Sequence, residues 1–398
     1  MAMTLEQWHK AVDKWVAREN ARAGRVYRPS IGMYPARQEG LIVSENGINN
    51  RVATADLIMH YADAIGDINP LWRSDYYARS TKYGGIIAPP RFLDCIAPPS
   101  GMGIGFPDFQ VPGLNPLNCG SKYRWFKTIH AGDVFSVHDR WLGVRELTKK
   151  ERPMPRIFIF EGERSYINQR DEVVATTIGG AMVIGMGPEL QEVSESFKKM
   201  KKHVYTEEEL GKIAQAYDNE FIRGADTLFW EDVVEGEALP TVVKGPITLM
   251  DSVAFFHVIG YTTAFRVTHE VYKANPGMLF RDPENNAPIG PALLHVSDNA
   301  ARVQGVPYAI SFAAQGEGNV CHAITNWMGD DGFVKRLDCQ ARHINLVGNT
   351  NWINGHVVKK YIEEGEYLVD LDLKMEDQDG NLIIPATATV RLMSRTKF

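Results

Sequence analysis

The chain has 398 residues, 44% hydrophobic and 23% charged, the composition of a globular protein long enough for two or three domains with a sizeable core. Its formal net charge of -6 and the shortness of its one basic cluster, Lys198 to His203, speak against a nucleic-acid partner, and no run nears the roughly 18 uninterrupted apolar residues of a membrane helix. The four cysteines, Cys95, Cys119, Cys321 and Cys339, form no CxxC pair and have no His cluster at ligand spacing, so reduced thiols, no metal and a cytoplasmic location are expected.

In chain order, Leu5, Trp8, Val12, Trp15 and Val16 recur at helical spacing with charges between them, which predicts an amphipathic helix over residues 4 to 22 rather than a signal peptide. From Thr54, a candidate N-cap, the apolar residues Leu57, Ile58, Tyr61, Ala62 and Ile65 predict a buried helix that Gly66 ends. A Gly/Pro-rich stretch, Ile96 to Gly120, precedes three β-rich segments, Val134 to Leu142, Arg156 to Arg164 and Val173 to Ile184. Helix followed by long antiparallel strands reads as α+β.

The charged segment Gly187 to Asp218 lacks alternation and reads as a linker. Beyond it the same order returns. Thr248 to Ile259 is an apolar helix with Thr248 as N-cap and Asp251 at the capping-box position. Trp352 to Val358, Glu366 to Leu373 and Leu382 to Leu392 alternate as strands, with a hairpin turn at Asp377 to Gly380. Two copies of one unit are expected, over residues 1–187 and 236–398, joined by 188–235. Trp72 with Ala78 and Thr268 with Ala274 share a six-residue separation, which matches Tyr61 to His257, Asp67 to Thr263, Asn69 to Phe265 and Trp72 to Thr268. The second copy then lacks the polar pair Asp67 and Asn69.

Those two residues stand at the end of the first buried helix. Gly66-Asp67-Ile68-Asn69-Pro70-Leu71-Trp72 resembles the Gly-Asp-x-Asn-Pro-aliphatic-His motif of the MaoC-like enoyl-CoA hydratases and dehydratases. With the following Tyr83-Gly84-Gly85-Ile86-Ile87-Ala88-Pro89-Pro90, it is more similar to the first half of the two-domain, fatty-acid-synthase-like dehydratases. The resemblance implies a double hotdog, two domains each with a central helix wrapped by an antiparallel sheet. It also implies a hydratase or dehydratase acting on an acyl-CoA thioester, with coenzyme A part of the substrate and no cofactor, and a homodimer or a heteromer with another hotdog chain.

Adding water to a 2-enoyl thioester needs a base for water, an acid for the α-carbon and donors for the thioester oxygen. Carried over, Asp67 is the base or acid and Asn69 orients water, while Trp72 fills the His position and its indole cannot shuttle a proton. His257, on the second apolar helix, is the first candidate replacement, followed by His269 and His295, with Tyr61 and Tyr261 as further donors. Pro89 and Pro90 lack an N–H, so the oxyanion donor falls to Ala88 or Arg91, or to Gly290 in the second half. Arg73, Arg79, Lys82 and Arg91 are candidate contacts for the phosphates of coenzyme A. With the motif His missing, a silent acyl-CoA-binding subunit, or a hotdog isomerase or thioesterase, are the alternative readings.

Overall fold

The computed structural model describes residues 3–27, 49–98, 111, 113–148, 155–185, 187, 199–261, 264–274 and 279–396. Its helices are α1 (Leu5–Asn20), α2 (Ala55–Ala64), α3 (Asp75–Arg79), α4 (Leu93–Ile96), α5 (Glu207–Asp218), α6 (Leu249–Val258), α7 (Phe265–Ala274), α8 (Asp298–Val303) and α9 (Ala313–Met328). Its strands are β1 (Val26–Tyr27), β2 (Leu114–Trp125), β3 (Ser136–Glu146), β4 (Arg156–Ile167), β5 (Val173–Gly185), β6 (Val242–Lys244), β7 (Phe280–Arg281), β8 (Pro288–Ile289), β9 (Phe333–Gln340), β10 (Asn351–Glu363), β11 (Glu366–Asp377) and β12 (Leu382–Arg391).

A single antiparallel sheet of ten strands runs in the order β1-β3-β4-β5-β2-β9-β12-β11-β10-β6. Its two halves meet where β2 pairs with β9, from Gly120 opposite Gln340 to Arg124 opposite Arg336. Gly120 opens that seam at a register shift with φ +114°, and a Cβ there would stand 2.1 Å from the carbonyl oxygen of Cys339. Only glycine permits such backbone contact. Two hotdogs set side by side in one sheet make the double hotdog that the resemblance implies.

The halves fill their inner faces differently. In the second, α9 is buried along its length and packs on β9, β10, β11, β12 and β2. This helix, and not the one over Thr248 to Ile259, is the one the second half of the sheet encloses. Gly316 and Gly318 make the fit possible. A Cβ at Gly316 would stand 3.0 Å or less from Met375 and Ile384 in the sheet, and one at Gly318 would stand 3.0 Å from the Tyr61 hydroxyl on α2. Each glycine costs a helix interior about 1 kcal/mol, which the closer packing on both sides offsets.

In the first half, alternate residues of β4 line one face. Tyr166 joins the main core, whereas Phe158 and Phe160 belong to a second cluster with Trp8, Val12 and Trp15 of α1. The amphipathic N-terminal helix therefore covers part of the inner face. It starts with a capping box between Thr4 and Gln7 and is held at its end by Asn20, whose amide exchanges two hydrogen bonds with the Val144 backbone. Between the two clusters the Arg164–Asp139 ion pair is buried, with bonds of 2.7 and 2.8 Å.

The repeat is present, but its register differs from the sequence expectation by two residues. The N-caps Thr54 and Thr248 and the left-handed glycines Gly66 and Gly260 are each 194 residues apart (248 minus 54, 260 minus 66). Asp67 N–H bonds Ala62 just as Tyr261 N–H bonds Phe256. Tyr61 thus corresponds to Phe255, and His257 to the exposed Asp63. Spacing alone misplaced them because Thr268 and Ala274 lie beyond chain of a different length. Thr263 lies outside the described residues, as do 188–198 of the expected linker, whose remainder includes α5 with its own capping box.

Candidate active site

The short path from α2 to Asp67 is set by local backbone chemistry. Gly66 takes the left-handed conformation that ends the helix, at φ +63°, and Asp67 N–H donates to Ala62 O at 2.8 Å. Asp67 Oδ1 then accepts the Asn69 N–H at 2.9 Å, and Asn69 Oδ1 accepts the Leu71 N–H at 2.9 Å, two successive Asx turns that lead into the turn Pro70–Trp72. The Asn69 amide nitrogen donates to Asp330 at 3.3 Å. Both ends of that amide are engaged, and its second Nδ2–H is the donor it has for water.

Asp67 is fully buried, and its Oδ2 has no hydrogen-bond partner among the described residues. His322 of α9 faces it, with Nε2 3.5 Å from Asp67 Oδ1 and 3.2 Å from Glu220 Oε1. Glu220 also accepts from Asn326 Nδ2 at 3.0 Å. Burial would push the Glu220 carboxyl up, but His322, Lys244 and Asn326 outweigh it and hold the pKa below the usual glutamate value. Lys244 of β6 is buried nearby, with its ammonium on the Gly66 carbonyl at 2.9 Å. Burial lowers the Lys244 pKa, while Glu220 and Asp67 pull it back up.

Asp67 and His322 line a narrow crevice of about 160 Å³ with Tyr61, Pro89, Arg91 and Gly318. Orphaned polar atoms converge here: Asp67 Oδ2, both ring nitrogens of His322, Tyr61 OH and Arg91 Nε have no hydrogen-bond partner among the described residues. Buried polar groups are otherwise nearly always paired, so five together mark a place where a ligand or water belongs. Burial raises the Tyr61 phenol well above its ordinary pKa. Cys321, on the same crevice, is pushed up by burial to about 12, against the pull of Arg91, and is an inert thiol.

The structure places the other expected site residues as follows. Arg91 is buried, which removes it from any surface phosphate. Its guanidinium bonds Asp94 at 2.7 Å, Ser121 at 2.7 Å and Glu317 at 3.0 Å, and lies over the Tyr123 ring. Burial opposes its charge, but the two carboxylates raise its pKa above the usual arginine value. The Ala88 N–H donates to Ile129 O at 2.9 Å and cannot serve a thioester oxygen. The Arg91 backbone N–H is on the Cys321 thiol, so within Ala88–Arg91 the donor left is the side-chain Nε–H of Arg91.

His257 points to the exposed side of α6, and Gly290 caps the turn Pro291–His295, lining neither the crevice nor its neighbour. His269 is exposed on α7. His295 is enclosed by Phe256 and Phe312, bonds Ile310 O through Nδ1 at 2.9 Å, and is pushed by burial down to about 4. Tyr261 is buried against the same Phe312. Arg73, Arg79 and Lys82 pair with Asp63, Asp75 and Asp331. Trp72 and Ala88 line a second, larger cavity of about 450 Å³.

His322 and Glu220 were missed in the sequence because neither follows a periodic signal. The signal that was available is the alternation of small and polar residues in Gln315, Gly316, Glu317, Gly318 and Asn319, polar for a buried helix and permissible only where partners await. Among the described residues, no group of His, Cys, Asp and Glu could hold a metal ion, and no helix is long and apolar enough to cross a membrane.

Residues 46–177 match the FAS1-like, dehydratase domain region. A 95-residue stretch is 28% identical to a UPF0336 protein of Thermobifida fusca (strain YX). That stretch is 24% of this chain and 62% of the relative, so the chain spans less than two thirds of the curated protein it matches. Among solved structures, a MaoC-like dehydratase superposes with a TM-score of 0.62 at 17% identity, over 94% of this chain and 99% of that one. A putative MaoC domain protein dehydratase of Chloroflexus aurantiacus J-10-fl gives 0.55 at 14%, over 94% and 96%. A conserved hypothetical protein of Mycobacterium tuberculosis with a double hotdog fold gives 0.54 at 12%, over 93% and 96%.

Proposed function

We propose, from the FAS1-like dehydratase region and the double hotdog fold of MaoC-like dehydratases, that this chain is a hydratase or dehydratase of acyl-CoA thioesters whose acid–base pair is Asp67 and His322. The observation that carries the reading is the 3.5 Å approach of His322 Nε2 to the motif aspartate, beside orphaned polar atoms in one crevice. His322 supplies the titratable group that Trp72 cannot, and it comes from the other half of the same chain.

In the hydration direction, Asp67 Oδ2 takes a proton from water as the water oxygen bonds to C3. The C2=C3 electron pair moves to C2, which takes a proton from His322 through its unpartnered Nδ1. Asp67 is then protonated by water's proton and His322 is neutral, and after product leaves, water admitted to the crevice carries one proton from Asp67 Oδ2 back to His322 Nδ1, which restores both. Dehydration is the reverse. Glu220 positions His322. Arg91, as the donor left in Ala88–Arg91, faces the thioester oxygen.

A second reading has one observation in its favour. The motif position of the titratable His holds Trp72, whose indole cannot shuttle a proton, as expected of a subunit that binds an acyl-CoA without turning it over. Purified chain assayed with a panel of 2-enoyl-CoA and 3-hydroxyacyl-CoA thioesters separates the two. Turnover that falls by about 10² or more in both Asp67→Asn and His322→Gln supports the hydratase. No turnover in the wild type supports the silent subunit, and full activity in either variant overturns the dyad.

A further inference from the structure

A partly open cavity, about 450 Å³ with its mouth included, lies in the wedge between the halves. Trp72, Ile87 and Trp125 of the first half face Met328, Phe333 and Val334 of the second across it. It adjoins the crevice along Ala88–Arg91, whose residues line one or the other, and is tied to it by Asn69. Asn69, whose N–H is on Asp67, donates its side chain to Asp330 in the cavity wall, and Leu71 and Trp72 follow it directly.

Its polar groups are mostly engaged. Trp125 Nε1 donates to Pro90 O at 3.0 Å, Tyr83 OH to Asp330 O at 2.9 Å, and Tyr77 OH to Asp330 Oδ2 at 2.6 Å. Lys127 pairs with Glu172 at 2.9 Å. Trp72 is the exception: its ring is 3% exposed and its Nε1 has no acceptor among the described residues. A buried N–H without a partner is a standing cost that a bound acceptor relieves.

We propose that this cavity takes the acyl group of the thioester, and that Trp72 Nε1 selects a bulky apolar acyl group bearing an oxygen acceptor, such as a ring ketone or hydroxyl. This inference rests on the thioester reading above. The residue that took the place of the motif His thereby becomes a specificity determinant: the indole fills the apolar wall and offers one donor, which discriminates against groups that leave it unpaired.

Two unreactive saturated thioesters test this by equilibrium binding to the full chain, cyclohexanecarbonyl-CoA and its 4-oxo derivative. The wild type is expected to bind the ketone about tenfold more tightly, and Trp72→Phe to abolish that preference while keeping the affinity for the plain ring. Ala88→Leu, which fills the cavity without touching the indole, is expected to weaken both and stands in for Trp72→Phe if that variant does not fold. Equal wild-type affinity for the two ligands, no binding of either, or a parallel loss of both in Trp72→Phe overturns the proposal. Because these ligands cannot be hydrated, discrimination by a chain inactive on every enoyl-CoA would sink the hydratase reading and leave this one standing.

Discussion

Lys244 Nζ donates to the carbonyl oxygen of Gly66 at 2.9 Å, so a strand of the second half grips the residue just before Asp67. The ammonium lies among the carboxylates of Glu220 and Asp67. Lys244→Met is expected to lower stability at neutral pH by roughly 1–3 kcal/mol, because it leaves that carbonyl and a carboxylate unmet. The pH dependence gives an independent readout. Burial depresses the folded pKa below 10.5, so between the two pKa values the unfolded chain holds the extra proton and wild-type stability gains with rising pH. Denaturant titrations in that alkaline window are expected to show the gain in the wild type and not in Lys244→Met.

Glu220 tests the positioning role. Its folded pKa is below 4.5, so it contributes stability that is present above that value and lost as pH falls through the folded pKa. Glu220→Gln is expected to flatten that acid limb. It is also expected to lower kcat by roughly ten- to a hundredfold, as the loss of one buried carboxylate contact to His322 implies, and to shift the pH profile of kcat. A purely structural Glu220 would change the unfolding curve and leave the profile where it is.

What could be read in the sequence and what could not divide along these residues. The turn at Asp67 was legible because its residues are written in consecutive positions, and β3, β4, β5, β10, β11 and β12 all begin or run where alternation placed strands. The seam strands were not. β2 starts inside a Gly/Pro-rich stretch and contains Pro116 and Gly120, and β9 is Phe-Val-Lys-Arg-Leu-Asp-Cys-Gln, whose charges hide its buried face. His322 and Glu220 reach Asp67 only through tertiary packing, which no local spacing records.

His295 supplies a second pH test, away from the crevice. Its folded pKa is about 4 against 6.5 in an open chain, so the unfolded state takes up the proton between those values and stability falls as pH drops from 6.5 toward 4. His295→Phe is expected to remove most of that loss, of order 3 kcal/mol at 1.36 kcal/mol per unit. Chemical unfolding at pH 7 and pH 4 measures it.

Gly318 reverses a common rule. Alanine usually stabilises a helix interior relative to glycine by about 1 kcal/mol. Here the new Cβ would stand 3.0 Å from the Tyr61 hydroxyl but 4.0 Å from the ring carbon that bears it. Gly318→Ala is expected to destabilise by about 1–3 kcal/mol, and the double variant with Tyr61→Phe to recover most of that loss. Additive losses in the cycle would contradict the contact.

The β2–β9 seam and the helix that Gly316 and Gly318 let pass between two neighbours have a consequence for descent. Asp67 comes from one copy of the repeat and His322 from the other, so neither copy can diverge freely while the pair is in use. A chain cut between the copies should be inert in pieces and recover only when both pieces are present together, as two genes would have to be.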